Sequence, residues 1–134
     1  KEKVDKKFYY TEDKYMYNML KEAVVREDRI YQFRRQYVRE NKKEVCPTLT
    51  ANMGTGGHNV PIITTEFGFR KLTPRECFRF QGFPDDYKLP KISNSSLYKQ
   101  AGNSVSMPVI ERIASEIFKC IEKAEARQLK AEKV

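Results

Sequence analysis

The sequence of 134 residues has few of the residue types that disulfide scaffolds and metal sites need. It contains three cysteines, Cys46, Cys77 and Cys120, in no paired spacing, and a single histidine, His58. An odd, scattered set of cysteines argues against a disulfide framework or a zinc knuckle and indicates a reducing compartment. One histidine with these partners does not make any usual metal site. No apolar run approaches the roughly 20 residues of a membrane span, and no signal peptide is visible, so we expect no membrane partner.

Charged residues are absent from one stretch, Cys46 to Pro61, although they make up 33% of the chain. The stretch is rich in Thr, Asn and Gly, and its glycines let the backbone approach a ligand closely. Successive N–H groups in such a loop form an anion site, to which Thr and Asn add neutral donors. Just upstream, Arg29 to Lys43 holds six basic residues against Glu40, with aromatic residues between them. Composition leaves two interpretations open, a contact with a nucleic-acid backbone and a surface turn beside a solvated strand.

The overall charge of the chain is strongly positive. The net charge is +8 and the pI about 9.4, which favours a polyanionic partner but does not indicate a fold. The length suits one domain, or one lobe of a larger protein. Because the chain starts at Lys1 and not at Met, we expect a fragment or a processed piece of something longer.

Hydrophobic patterns predict an α+β fold in which helices flank a β region. The apolar positions Tyr15, Met19 and Ala23, with Leu20 beside them, predict an amphipathic helix over 12–25, for which Thr11 is the candidate N-cap. Alternation predicts a strand over 29–39. Further strands are predicted over 45–51, 60–65 and 70–72, the last two joined by a return at 67–69.

The second half of the sequence predicts helices. Thr73-Pro74-Arg75-Glu76 is a capping box, so a short helix is expected over 74–81, with Gly82 as its C-terminal cap and Arg75 and Glu76 in capping and ion-pair roles. A brief helical turn is predicted over 95–100, and a last helix from about 106. Cys77 and Cys120 are predicted to be small core residues. The last helix carries an apolar stripe at helical spacing: Ile110, Ile113, Ala114, Ile117, Ile121 and Ala124.

Three pieces, in this order, resemble the C-terminal part of a bacterial DNA cytosine-5 methyltransferase. Residues 31–41 followed by Pro47-Thr-Leu-Thr-Ala-Asn-Met-Gly-Thr-Gly-Gly-His-Asn59 resemble the target-recognition region, especially of members that methylate CCGG or CCWGG sites. Residues 70–84 resemble the family's motif IX, and Tyr98-Lys-Gln-Ala-Gly-Asn-Ser-Val105 resembles motif X. The resemblance covers roughly residues 30 to 120.

The resemblance implies roles for particular residues. It places the Thr-Leu-Thr stretch and the following loop against the DNA backbone beside a flipped cytosine, and it implies that basic residues reach guanine edges. The implied DNA contacts are Arg29, Arg34, Arg35, Arg39, Thr48, Thr50, Asn52, Met53, Gly54, Thr55, Gly56, Gly57, His58 and Asn59. Motif X implies that Asn103, Ser104 and Val105 contact the cofactor, S-adenosylmethionine. Without the resemblance, Gly102-Asn103-Ser104 would equally suit a helix N-terminal turn.

The motifs that carry the family's chemistry are not in this sequence. The family uses a Cys nucleophile in a Pro-Cys-Gln context, a Glu in Glu-Asn-Val, and a glycine-rich cofactor loop. Cys46 precedes its proline, and Glu40-Asn41 is followed by Lys42. We therefore expect a chain that is inactive alone and completes a Rossmann-like α/β domain, as fragment or subunit, together with an N-terminal catalytic lobe.

The resemblance also implies double-stranded DNA as a partner, a restriction-modification role and a bacterial cytoplasmic location. The expected division is a helical lead-in at 1–28, a target-recognition region at 29–72, the motif IX helix, motif X loop and C-terminal helix at 73–125, and a charged tail at 126–134. Two alternatives stay open. One is a stand-alone sequence-specific DNA-binding module without enzymatic activity, and the other is a basic interaction domain without sequence preference.

Overall fold

A computed structural model describes residues 4–55 and 58–131, with the side chain of Lys130 excepted. The chain divides into two compact units, one ending at Ser104 and the other beginning at Val105. Within its described residues, the first unit contains a short 3-10 turn and seven regular elements. These are α1 (Tyr17–Ala23), β1 (Tyr31–Arg34), β2 (Tyr37–Glu40), β3 (Pro61–Thr65), β4 (Gly68–Lys71), α2 (Pro74–Phe80) and α3 (Asn94–Asn103).

The four strands form one antiparallel sheet in the order β2-β1-β3-β4. The strand predicted over 29–39 is two strands, because the chain turns back between Arg34 and Tyr37. Arg35 has a φ of 57°, and the Gln36 amide donates to the Arg34 carbonyl at 2.6 Å. Alternation continues across the turn, so the pattern did not reveal it. The predicted strands β3 and β4 are confirmed, with Thr65 opposite Gly68 at their hairpin.

Two hydrophobic clusters fill the first unit. One lies around Tyr31 and Phe33 of β1 and includes Met16, Leu20 and Val24. Of the predicted apolar residues of α1, Leu20 is buried, but Tyr15 and Met19 are exposed, so the buried face is shifted by one position. The predicted row (Tyr15, Met19 and Ala23) and the buried row (Met16, Leu20 and Val24) are both spaced by four, so helical periodicity alone could not distinguish them. The helix is also shorter than the predicted 12–25. The members of the other cluster are Phe8, Met53, Val60, Leu72, Cys77, Phe78, Leu97, Tyr98 and Ala101.

Helix α2 forms as its capping box predicts. Thr73 accepts a bond from the Glu76 amide, and the Glu76 carboxylate accepts one from the Thr73 amide. Gly82 has a φ of 84°, a left-handed conformation that suits glycine after a helix. The Glu76 carboxylate also pairs with Arg70, which confirms the predicted ion-pair role of Glu76.

Residues 45–51 and helix α3 differ from the prediction. Residues 45–51 do not form a strand, and the backbone before them is interrupted by a left-handed Glu44 with a φ of 56°. Helix α3 is longer than the turn predicted over 95–100, with Ser93 as its N-cap. Cys77 is buried as predicted.

The second unit is the helix α4 (Met107–Ala131), which confirms the last predicted helix. Its start is marked by the Ser106 carbonyl, which accepts from the amides of Val109 and Ile110. Four isoleucines of the predicted stripe are exposed by 43–54%: Ile110, Ile113, Ile117 and Ile121. The prediction of a core position for Cys120 was wrong, because this residue is exposed. Of the predicted charged tail at 126–134, the structure describes a helix to Ala131. No helix in the described part of the chain combines the length and apolar character needed to cross a membrane.

Candidate nucleic-acid interface

The predicted arginines stand at one hairpin, where their environments differ. Arg34 and Arg35 lie at the exposed tip between β1 and β2, and Arg39 is exposed on β2 opposite Gln32. Arg29 has a side chain only 18% exposed, with Nε 3.3 Å from the Glu40 carboxylate. Because a neighbouring carboxylate already balances its charge, Arg29 offers less to a phosphate or a guanine than the three exposed arginines do.

The glycine-containing loop is tied to this hairpin by a buried amide. Gln32 is 2% exposed in the middle of β1, and its Nε2 donates to the Asn59 carbonyl at 3.0 Å. The Asn59 amide donates to the Phe33 carbonyl at 3.1 Å, and Asn59 adopts a left-handed φ of 66°. Gln32 was not among the predicted site residues. A polar residue between Tyr31 and Phe33 in an apolar strand is the signal that could have identified it.

The hydroxyl and amide groups of the loop form a local set of donors. The Thr50 hydroxyl donates to the Asn52 side-chain carbonyl at 2.7 Å, which orients the Asn52 amide and leaves its NH2 group to donate outward. Thr48, Asn52 and Thr55 are exposed. Exposed neutral donors of this kind suit a phosphate oxygen. Two of the predicted contacts, Gly56 and Gly57, lie outside the described residues.

Three other loop residues occupy different environments. Met53, one of the predicted contacts, is completely buried in the cluster that contains Tyr98, so its side chain faces the core. Gly54 has a φ of 80°, and its amide donates to the His58 carbonyl at 3.1 Å. His58 is half-buried, and its Nδ1 has no hydrogen-bond partner within the described residues.

The same loop packs against α3. A Cβ built on Gly102 would lie 2.1 Å from the Thr50 carbonyl oxygen, and one built on Gly54 would lie 2.7 Å from the Tyr98 ring. The Tyr98 hydroxyl donates to the Leu72 carbonyl at 2.5 Å, which fixes the ring. The structure therefore brings the loop next to the segment that holds the predicted cofactor residues Asn103 and Ser104.

The carboxyl end of α3 has the chemistry of a site for a cation. Residues 102–104 end α3, so they are not the N-terminal turn that composition alone allowed. The Ser104 hydroxyl donates to the Ala101 carbonyl at 2.7 Å, so toward a ligand it can only accept. Asn103 is exposed. The negative end of a helix dipole favours positive charge, and S-adenosylmethionine carries an ammonium and a sulfonium, so these residues fit that cofactor. Val105, in the second unit, is 54% exposed.

The cysteines of the first unit are poorly suited to act as nucleophiles. Burial raises the pKa of the Cys46 thiol to about 11. Burial also raises the pKa of Cys77 well above its ordinary value. Because the thiolate is the nucleophilic form, neither residue is activated at neutral pH. Within residues 4–55 and 58–131, no group of three or more His, Cys, Asp or Glu side chains could hold a metal ion.

Comparison with known proteins gives one consistent family. A family model described as C-5 cytosine-specific DNA methylase matches residues 1–119. The type II methyltransferase M.Bsp6I of Bacillus sp. (strain RFL6) is 63% identical over 119 residues, which are 88% of this chain and 38% of that protein. M1.ScrFI of Lactococcus lactis subsp. cremoris is 38% identical over 81 residues, covering 60% of this chain and 21% of that protein.

M.HpaII of Haemophilus parainfluenzae is 53% identical over 51 residues, covering 38% of this chain and 14% of that protein. Both M1.ScrFI and M.HpaII are named as type II methyltransferases. The chain thus spans well under half the length of these curated relatives. No solved structure matches it.

Proposed function

The chain belongs to the family of C-5 cytosine-specific DNA methylases, and we propose that it is the target-recognition and C-terminal part of a DNA cytosine-5 methyltransferase. In this role it holds double-stranded DNA and completes the cofactor site. The observation that carries the proposal is the position of the uncharged loop. The Gln32 side chain ties the loop to the hairpin of β1 and β2, which carries the exposed arginines. Because Gly102 has no side chain, the loop backbone at Thr50 lies against the end of α3, next to the proposed cofactor residues.

Toward DNA, the exposed arginines and the loop have different proposed roles. Arg34, Arg35 and Arg39 are the candidates for guanine readout, because a guanidinium can bond O6 and N7 together, and a good bidentate contact contributes about 1–3 kcal/mol of discrimination. Thr48 and Asn52 offer neutral donors to the backbone, which positions the duplex without specifying sequence. The resemblance to CCGG and CCWGG enzymes makes these the first sites to test.

On the cofactor side, Asn103 and Ser104 would hold S-adenosylmethionine. When bound, the cofactor supplies the methyl group for C5 of cytosine. The residues of this chain bind and orient it: Ser104 accepts a hydrogen bond, Asn103 is open to donate or accept, and the end of α3 favours positive charge. Val105, beyond α3, is the third proposed contact.

The catalytic groups must come from elsewhere in the enzyme. The chain has no Pro-Cys-Gln or Glu-Asn-Val segment, and burial raises the pKa of the Cys46 thiol, so Cys46 carries less thiolate at neutral pH than an ordinary cysteine. We propose that a catalytic lobe, from the same polypeptide or from a separate subunit, covers the isoleucine stripe of α4. Burying one such side chain contributes about 1.5–3 kcal/mol, so four of them give a substantial interface.

The test is transfer of labelled methyl from S-adenosylmethionine to DNA. The chain would be assayed alone, and then joined to the part of M.Bsp6I that lies outside the matched region, which supplies a matching lobe. Activity only in the joined protein supports the proposal, and sequencing of the modified DNA gives the site. Activity of the chain alone would contradict the assignment of the nucleophile to another part. Sequence-selective binding of DNA without any methyl transfer would favour the stand-alone binding module.

A further inference from the structure

Gly102 is close to the backbone of another segment, and its glycine is needed there for space. Its φ lies outside the left-handed region, so the backbone conformation by itself does not require glycine at this point. A Cβ at Gly102 would meet the Thr50 carbonyl oxygen at 2.1 Å, the Thr50 carbonyl carbon at 2.2 Å and the Ala51 nitrogen at 2.6 Å. The first distance falls 1.3 Å short of the 3.4 Å at which ordinary van der Waals contact begins. A methyl group could enter only if the loop and α3 moved apart.

A second contact one helical turn earlier holds the same loop on the same face of α3. Gly54 lies against the ring of Tyr98, which is four residues before Gly102. Between the two glycine contacts, the Met53 side chain is buried in one cluster with Tyr98 and Ala101. Residues 50–54, which we name the docking loop, are therefore seated on α3 by three neighbouring contacts.

The end of α3 beyond this seat is held by side chains. The Ala101 carbonyl accepts two hydrogen bonds, one from Gln81 Nε2 at 3.0 Å and one from the Ser104 hydroxyl at 2.7 Å. Asn103 directly follows Gly102. The seat of the docking loop at Gly102 is thus directly adjacent in sequence to the segment proposed to contact the cofactor.

We propose that Gly102 is a positioning residue that sets the distance between the DNA backbone held by the docking loop and the cofactor held by Asn103 and Ser104. This inference rests on the proposed function. The absence of a side chain at Gly102 lets the two binding segments share one rigid seat. Widening the seat leaves each ligand its own contacts but displaces one reacting partner from the other.

The test is Gly102→Ala in the joined protein described above. Because a displacement of about 1 Å can cost about 100-fold in rate, we expect a fall in kcat of about that size, with KM for DNA and cofactor close to wild type. The Kd values of a duplex and of S-adenosylhomocysteine, each measured alone without turnover, should also stay close to wild type. Ser95→Ala, at an exposed position of α3, is the matched control and should leave kcat unchanged.

A second pair of variants keeps the test decisive if Gly102→Ala does not fold. Met53→Ala loosens the docking loop without a clash and should lower kcat in the same way, whereas Met53→Leu fills most of the space and should lower kcat less. A folded Gly102→Ala with wild-type kcat, or a Met53→Ala with wild-type kcat, overturns the inference. Weaker binding of both the duplex and S-adenosylhomocysteine, in place of a fall in kcat at unchanged KM, also overturns it. A joined wild-type protein that transfers no methyl group refutes the proposed function and the inference with it, so the two failures are distinguishable.

Discussion

Replacing Glu76 by Gln tests whether one ion pair holds α2 onto the sheet. Glu76 accepts from Arg70 Nη1 at 2.9 Å and from Nη2 at 2.8 Å, and it also accepts from the Thr73 amide at 2.7 Å. The Arg70 side chain is 8% exposed and that of Glu76 is 22% exposed. Gln keeps the shape of Glu76 but leaves a buried guanidinium without its counter-charge.

The expected cost follows from that burial. Removing one partner of a buried ion pair costs about 3–5 kcal/mol. Since Glu76 is partly exposed and Gln retains one oxygen acceptor, we expect a loss in the free energy of unfolding near the lower limit, about 3 kcal/mol at pH 7. Urea denaturation followed by circular dichroism measures it. Asp85→Asn, which breaks the exposed pair with Arg79, is the control and should change stability little. A loss for Glu76→Gln no larger than for this control would refute the reasoning.

The same pair predicts a dependence of stability on pH. Burial by itself raises the pKa of Glu76, but the bonds from Arg70 and Thr73 outweigh it, and the pKa is lowered from its ordinary 4.5. The unfolded chain then binds the proton more tightly, so this contribution is complete above pH 4.5 and is lost as pH falls through the lower folded value. The stability difference between wild type and Glu76→Gln should therefore shrink in acid. A difference that stays constant down to pH 3 would contradict this.

Three further predictions concern the cysteines, the buried amide and the arginines. At neutral pH a maleimide should label exposed Cys120 readily, whereas Cys46, with a pKa of about 11 in place of 9.0, has roughly 100-fold less thiolate than an ordinary thiol; mass spectrometry of the peptides distinguishes them. Gln32→Leu leaves the carbonyl it bonds unpaired, so urea denaturation should show a loss of about 1–3 kcal/mol. In titrations of a matched and a guanine-substituted duplex, Arg35→Ala should reduce the discrimination between them by about 1–3 kcal/mol, and Arg29→Ala should reduce it less because Arg29 is already ion-paired.

The elements that the sequence predicts correctly have local causes. The cap of α2 depends on Thr73, Pro74, Glu76 and Gly82, all within or beside seven helical residues, so no distant contact is needed to specify it. The buried face of α1 depends on which of two equivalent rows meets Phe33 and Ile62, and those residues come later in the chain. The turn at Arg35 is hidden for a related reason, because a left-handed conformation at a non-glycine residue has no marker in the alternating pattern.

The candidate site likewise has features that the sequence predicts and contacts that it does not. The donor-rich loop and the arginines are visible in the sequence because their residue types show their chemistry. The contacts that hold them in place join distant positions, Gln32 to Asn59 and Gly102 to Thr50, and the sequence does not reveal these pairs. Gly102 illustrates the difference most clearly, because the resemblance implies a role for its neighbours Asn103 and Ser104 but none for the missing side chain.

The absence of charge in the loop has a physical reason beyond phosphate contact. On the outer side of the loop, Thr48 and Asn52 are exposed. On the inner side, Met53 is buried in the core and the Thr50 backbone packs against α3. A Lys, Arg, Asp or Glu directed to that inner side would lose its hydration without a partner, which is costly. Neutral donors meet both demands, since they can bond a phosphate outward and pack closely inward. The packing of the inner side of the loop against α3 and the core thus explains why its inward-facing positions are uncharged, and in the proposed function the arginines of the β1–β2 hairpin supply the positive charge.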